Sequence, residues 1–395
     1  MRFSPLLLAA LVAALLVAPA ASTAATPRKG PAGLAFYTPP KKLPGKKHGD
    51  VVWTRSVKGG ITLSGASKNL LVLYRSTTYS GSATAVSGVL SLPKGKAPRG
   101  GWPVVSWAHG TTGIADVCAP SRFQTGAADS TYTAKLMNGW LKRGYAVAQT
   151  DYQGLGTPGT HEYLVGTSEG RSVLDMVRAA RQVDRRIGKD FAIAGHSQGG
   201  HASLWAAYLA RRWTPELKLR GTVAFAPASH LGEQFKLAPS VTSPVGGAGA
   251  LLASIARGVD AARPSLRVSS LLTDRAAALY PQIDGDRCLG QLAQSDSFGG
   301  LAPSELFKSG TDLGPLDRAV DASDPERLKI GGAPVEVEQG SADGTVQPGL
   351  TDQLVEELRD RGTRLTYRRY EGADHVGVVS AATSQATRFL DARLR

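Results

Sequence analysis

Short apolar runs alternate with amphipathic stretches along most of this chain. PVVSW at 103–107 is a compact apolar run, and HGTTG follows it directly. TAKLMNGWLKRG at 133–144 has helical spacing and stops at glycine. YAVAQTDYQGLG then supplies another apolar strand and a polar loop. SEGRSVLDMVRAARQV at 168–183 spaces Val173, Met176, Val177 and Ala180 as one helical face, and KDFAIAG at 189–195 reads as the next strand. Further strands are expected at 51–54, 70–74 and 83–92, and later in GTVAFAP (221–227), APVEVEQG (333–340) and RLTYRRY (364–370). TDQLVEELRDRG at 351–362 and the stretch 378–394 read as helices. This alternation predicts an α/β fold, a mostly parallel central sheet with helices on both faces.

The rhythm breaks between 231 and 325. Apolar helical stretches at 251–255, 266–280 and 301–307 lie between links rich in glycine, proline and serine. A helical cap is expected here, inserted between strands, so that the core is divided into 26–230 and 326–395. Residues 1–25 read as a secretory signal peptide. Arg2 gives a positive start, 6–17 is apolar, and Ala18-Pro19-Ala20 is a small-x-small cleavage site. The apolar run is too short for a membrane span. The expectation is a secreted protein.

Composition narrows the reading further. With 42% hydrophobic and 20% charged residues, the chain is globular rather than disordered. The formal charge of +14 is scattered, apart from a cluster at 41–47. Without a nucleic-acid motif it reads as a solvated surface with a general lean toward anionic partners. The two cysteines, Cys118 and Cys288, suggest one disulfide in an exported protein and carry no zinc spacing.

The chemistry centres on GHSQGG at 195–200. An apolar strand precedes it and a helix follows, which places Ser197 at a sharp strand-to-helix turn with its hydroxyl above the sheet. A serine hydroxyl needs a base. Of seven histidines, His375 in EGADHVGVV is the best placed, in the loop between the last strand and the last helix. His196 and His201 are tied to the elbow itself. The base needs a carboxylate to fix its tautomer, and Asp343 in QGSADGTV follows the strand before. Asp374 and Glu338 are the rivals; the first adjoins His375 in sequence and points away, the second stays within its strand. Oxyanion donors are expected from the backbone N–H of Gln198 and from the 109–113 loop, at Thr111 or its neighbour Thr112. His109 reads as an organiser of that loop.

FYTPP at 36–40, Cys118-Ala119-Pro120-Ser121, SEGRSVLDMVRAAR, the elbow and the loops of Asp343 and His375 occur in one order. Together they resemble the secretory lipase family, which includes fungal lipases related to lipase A, and the chain reads as a bacterial secreted member. The resemblance implies an α/β-hydrolase fold with a helical cap and hydrolysis of carboxylic esters, often lipid esters: a triacylglycerol lipase or carboxylesterase. It matches the nucleophile to Ser197, the acid to Asp343 and the base to His375, with no metal or organic cofactor. It pairs Cys118 with Cys288, tying cap to core. HGTTG departs from the acidic oxyanion residue of some fungal members.

The implied partners are an ester or lipid substrate and transient contact with a lipid interface, with no nucleic acid and no obligate protein partner. Leu251, Leu252, Ile255, Leu271, Leu272, Leu301 and Phe307 are the apolar material expected to wall an acyl tail of medium length. Rival readings are a serine peptidase, an esterase for small or polymeric esters, and a secreted binding protein on a decayed hydrolase fold.

Overall fold

A computed structural model describes residues 27–122 and 128–395. The leader expected at 1–25 lies outside the described residues. Among those described, no helix is long and apolar enough to cross a membrane.

Among the described residues, nine strands form one sheet. They are β1 (Val51–Ser56), β2 (Lys68–Thr77), β3 (Ala83–Leu92), β4 (Trp102–Ala108), β5 (Ala146–Thr150), β6 (Ile187–His196), β7 (Lys218–Phe225), β8 (Val335–Gly340) and β9 (Leu365–Tyr370). Their order is β1-β2-β3-β5-β4-β6-β7-β8-β9. From β5 to β9 all neighbours are parallel, whereas β1, β2 and β3 join as antiparallel neighbours at one side. This is the α/β-hydrolase fold, with a mixed rather than wholly parallel sheet.

The parallel strands are apolar on both faces because helices cover both. In β4, Val104 and Ala108 point to the layer of α2 (Gly166–Val183) and α3 (Gln198–Trp213). Val105 and Trp107 point to the opposite layer, made by α1 (Ala128–Lys142) and the C-terminal helix Gly377–Leu394. β6 repeats the alternation, with Phe191 and Ile193 on one side and Ala192 and Ala194 on the other. Every strand of the parallel set therefore ends at the same edge, and the loops that leave it converge there.

Between β7 and β8 the chain forms a separate apolar cluster built from short helices: α4 (Leu231–Leu237), α5 (Ala248–Ala262), α6 (Val268–Leu271), α7 (Asp274–Leu279), α8 (Pro281–Asp284), α9 (Leu289–Leu292) and α10 (Gly314–Asp321). The inserted helical cap is thus present, but its parts differ from expectation. The stretch 266–280 is not one helix. Leu272 is extended and bridges Phe307, and that bridge divides α6 from α7. The stretch 301–307 holds only a 3₁₀ turn at Pro303–Glu305, because Leu301, Leu306 and Phe307 pack into the cap from irregular backbone. Cys118 and Cys288 form a disulfide with Cα atoms 5.5 Å apart, joining the cap to the loop after β4. Leu289 N–H donates to Thr112 O at 2.9 Å beside it. The core closes with α11 (Pro348–Asp360) and α12, the C-terminal helix Gly377–Leu394.

Candidate active site

Ser197 sits between β6 and α3 at φ 56°, ψ −118°. A non-glycine residue held there carries strain of about 1–3 kcal/mol and needs its surroundings to impose it. Ser197 N–H donates to Phe225 O at 2.9 Å, and Ser197 O accepts from His201 N at 3.0 Å. The glycines on either side permit the turn. A Cβ on Gly195 would lie 2.2 Å from Gly199 O, and one on Gly199 would lie 1.9 Å from Ala108 O. The elbow expected from the sequence is formed, and Ser197 is part-exposed at its tip.

Ser197 opens into a cavity of about 210 Å³ that His375, Thr111, Tyr132, His196 and Thr345 also line. The cap contributes Leu251, Leu289 and Ala293, together with Gly246 and Gly247. His375 Nδ1–H donates to Asp343 Oδ2 at 2.7 Å. Asp343 Oδ1 accepts from the N–H groups of Thr345 and Val346 at 2.8 and 2.9 Å, and Gln339 Nε2 donates to Oδ2 at 3.1 Å. Burial pushes this carboxyl upward, but the His375 hydrogen bond and charge, with the two backbone donors, hold it below the usual carboxylate value. The rivals stand elsewhere. Asp374 Oδ1 accepts from Gly377 N–H at the start of α12. Glu338 is fully buried in β8 without a hydrogen-bond partner for either oxygen, and burial beside Glu336 pushes it up to about 8.

His196 has a different role from His375. Its Nε2–H donates to the carbonyl oxygen of His375 at 2.8 Å, so its Nδ1 is the acceptor for Tyr132 OH, also at 2.8 Å. Burial, and then the neighbouring His375, push its pKa down to about 3. This neutral imidazole pins the loop of His375 to the elbow. Tyr132 carried no signal in the sequence.

Thr111 lines the cavity, and its Oγ1 is hydrogen-bonded to Tyr163 OH at 2.7 Å. Thr112 is turned inward; its Oγ1 is buried without a partner and its carbonyl accepts from the cap. His109 Nδ1–H donates to Gly110 O at 2.7 Å, within its own loop. Gln198 follows Ser197 as the first residue of α3, with its side chain buried. Of the seven cap residues expected to wall an acyl tail, only Leu251 reaches the cavity. Leu252, Ile255, Leu272, Leu301 and Phe307 are buried in the cap's own core and Leu271 packs against it. Leu289 and Ala293 take the place at the cavity wall.

Residues 120–395 match the family model described as secretory lipase. The chain belongs to the secretory lipase family. Lipase A of Moesziomyces aphidis is 29% identical over 310 residues, 74% of this chain and 64% of that relative's length. A probable inactive lipase of Mycobacterium tuberculosis is 26% identical over 391 residues, 91% of this chain and 81% of the relative. Among solved structures, Candida antarctica lipase A in its closed state superposes with a TM-score of 0.77 at 20% identity, covering 90% of this chain and 85% of that one. The rice cell wall degrading esterase LipA from Xanthomonas oryzae superposes with a TM-score of 0.69 at 20% identity, covering 88% of this chain and 100% of that one. Membership of a secretory family and the Cys118–Cys288 bridge both accord with an oxidising, extracellular setting for this chain. The superpositions bear on the fold alone, and the family is carried by the match over residues 120–395.

Proposed function

We propose that this chain is a secreted, bacterial serine carboxyl-ester hydrolase that works through an acyl-enzyme on Ser197. One observation carries the reading: His375, hydrogen-bonded through Nδ1 to Asp343, opens onto the same cavity as Ser197. With its proton on Nδ1, His375 presents Nε2 as the acceptor for the serine proton. The Ser197 oxygen attacks the ester carbonyl carbon. The backbone N–H of Gln198 and a donor at Thr111 hold the oxyanion, and the imidazolium returns its proton to the departing alcohol. Water, deprotonated by His375, then releases the acid and regenerates Ser197. Asp343 stays ionised and holds the imidazolium.

The names of the relatives favour lipid esters as substrates. The cavity favours a smaller acyl group than the medium chains expected from the sequence, because about 210 Å³ falls below the usual range for ligand pockets, roughly 300–1,000 Å³. Leu289 and Ala293 of the cap stand on its wall. A relative in Mycobacterium tuberculosis named as a probable inactive lipase makes the first test one of competence. A fluorophosphonate probe is expected to label the protein at Ser197, and Ser197→Ala to abolish labelling and lower ester turnover about 10⁶-fold with the fold intact. An unlabelled, folded protein would return the chain to the binding-protein reading. A series of p-nitrophenyl esters then separates the substrate classes: a maximum of kcat/KM at acetyl to butyryl marks a small-ester hydrolase, and a rise through octanoyl marks a lipase.

A further inference from the structure

Beneath the elbow lies a buried polar cluster that the acyl-transfer scheme does not use. Glu169, on the first turn of α2, is 1% exposed. Its Oε1 accepts from Gln198 Nε2 at 2.7 Å and from Leu164 N–H at 2.9 Å. Its Oε2 faces His201 Nδ1 at 3.2 Å. The other nitrogen of His201, Nε2, donates to Ser323 O at 2.8 Å. His201 is thereby held between two acceptors, the Glu169 carboxylate and the Ser323 carbonyl. Burial pushes Glu169 upward, yet the His201 hydrogen bond and charge bring it below the usual carboxylate value.

His161 completes the cluster. Its Nδ1–H donates to Gln153 O at 2.9 Å, and its Nε2 lies 2.9 Å from Gln198 Nε2. Burial pushes its pKa down to about 4, so it is neutral and accepts from Gln198. The amide of Gln198 thus spends both N–H bonds, one on Glu169 and one on His161. It cannot be turned over, because its oxygen would then face a carboxylate oxygen.

Two tethers leave this cluster, and they lead to the two candidate oxyanion donors. Gln198 is one donor residue, with its side chain held as described. The other tether passes through the loop 161–164. Leu164 has a positive φ of 54°, its N–H is fixed by Glu169, and the adjacent Tyr163 reaches up to Thr111 Oγ1.

We infer that Glu169 is the positioning residue of the oxyanion hole, holding the Gln198 and Thr111 donors at a fixed separation through Gln198's own amide and through Tyr163. This inference rests on the acyl-enzyme reading above. Small displacements of oriented donors are costly; about 1 Å of misplacement can cost roughly 10²-fold in rate.

The test compares three variants of the full chain: Glu169→Gln, which removes the charge; Gln198→Met, which keeps the backbone N–H but cuts its tether; and Tyr163→Phe, which removes one hydroxyl from a retained ring. Fluorophosphonate labelling of the parent protein first establishes that Ser197 is competent, so failure of the acyl-enzyme reading is seen separately. Glu169→Gln and Gln198→Met are expected to lower kcat about 10- to 100-fold with KM within about twofold, and to weaken a trifluoromethyl ketone transition-state analogue by the same factor. Tyr163→Phe is expected to do so by a few-fold. Thermal unfolding identifies variants that have lost the fold, and Tyr163→Phe, the mildest change, decides the matter if the other two do. Folded variants with parental kcat, or with KM raised and analogue affinity unchanged, would overturn the inference.

Discussion

The elbow and the cap face each other across one cavity and are held by different means. At the elbow the constraint is backbone against backbone: Gly199 passes Ala108 O so closely that no methyl group fits, and Ser197 is forced into a strained conformation by its neighbours. In the cap the constraint is side chain against side chain, with seven helices, six of them of eight residues or fewer, closed around one apolar cluster and one disulfide fastening them to the core. The elbow therefore fixes the position of Ser197 through the backbone. The cap fixes only how much room lies above it, and residues such as Ala293 can change that room without disturbing the sheet.

The contrast can be broken first on the catalytic side. Asp343→Asn is expected to lower kcat about 10⁴-fold, because the imidazole loses the partner that fixes its tautomer. The same variant has a stability signature of known sign. Asp343 is held below its ordinary value, so its contribution is present above the unfolded pKa of about 3.9 and is lost as pH falls through the folded value. The difference in Tm between parent and variant is expected to be widest near neutral pH and to close as pH drops below about 4. A gap that widens on acidification would contradict the assignment.

The next test pits one methyl group against another. Gly199→Ala must displace backbone at Ala108 and His109, and is expected to cost at least about 3 kcal/mol and most of the activity. Gly290→Ala, in α9 of the cap, meets nothing within 4 Å and is expected to be neutral or to add up to about 1 kcal/mol. Denaturant midpoints measure both. Equal effects would remove the distinction between the two regions. Cys118→Ser with Cys288→Ser is expected to cost about 2–5 kcal/mol and to expose the cap to proteolysis before the sheet. Loss of cap and sheet in a single step would show them to be one cooperative unit. The smallest effect is expected at Ala293→Leu: kcat/KM falls roughly tenfold for butyryl relative to acetyl esters, while acetyl turnover is kept.

The same contrast governs how much could be read from the sequence. Ser197, Asp343 and His375 stand in loops that directly follow β6, β8 and β9, so recognising three strands was enough to bring them to one edge. The structure does bring His375 and Asp343 into contact beside Ser197. The cap was legible only as an interruption. Its helices are as short as four residues, set by packing rather than by propensity, and an extended Leu272 pairing with Phe307 leaves no periodic trace. α10 was missed although Pro315 in its first turn is a start signal, because no apolar run accompanies it. The Glu169 cluster was hidden for another reason. It joins the loop 161–164 and α2 to α3 and to Ser323 in the cap-to-core connection, and only the fold reveals that four ordinary polar residues share one buried space.

The bridge between Cys118 and Cys288 spans 170 residues, and this separation sets a timetable. In a chain that emerges from its N-terminus, Cys118 appears early and its partner arrives only after the elbow, β7 and most of the cap. At about 5–20 residues per second that interval is roughly 10–30 s. Throughout it Cys118 is a lone thiol beside the loop of Thr111, open to mixed disulfides with whatever carrier meets it. An export route that oxidised the chain before Cys288 arrived would meet Cys118 unpaired, ahead of the loop that carries His375.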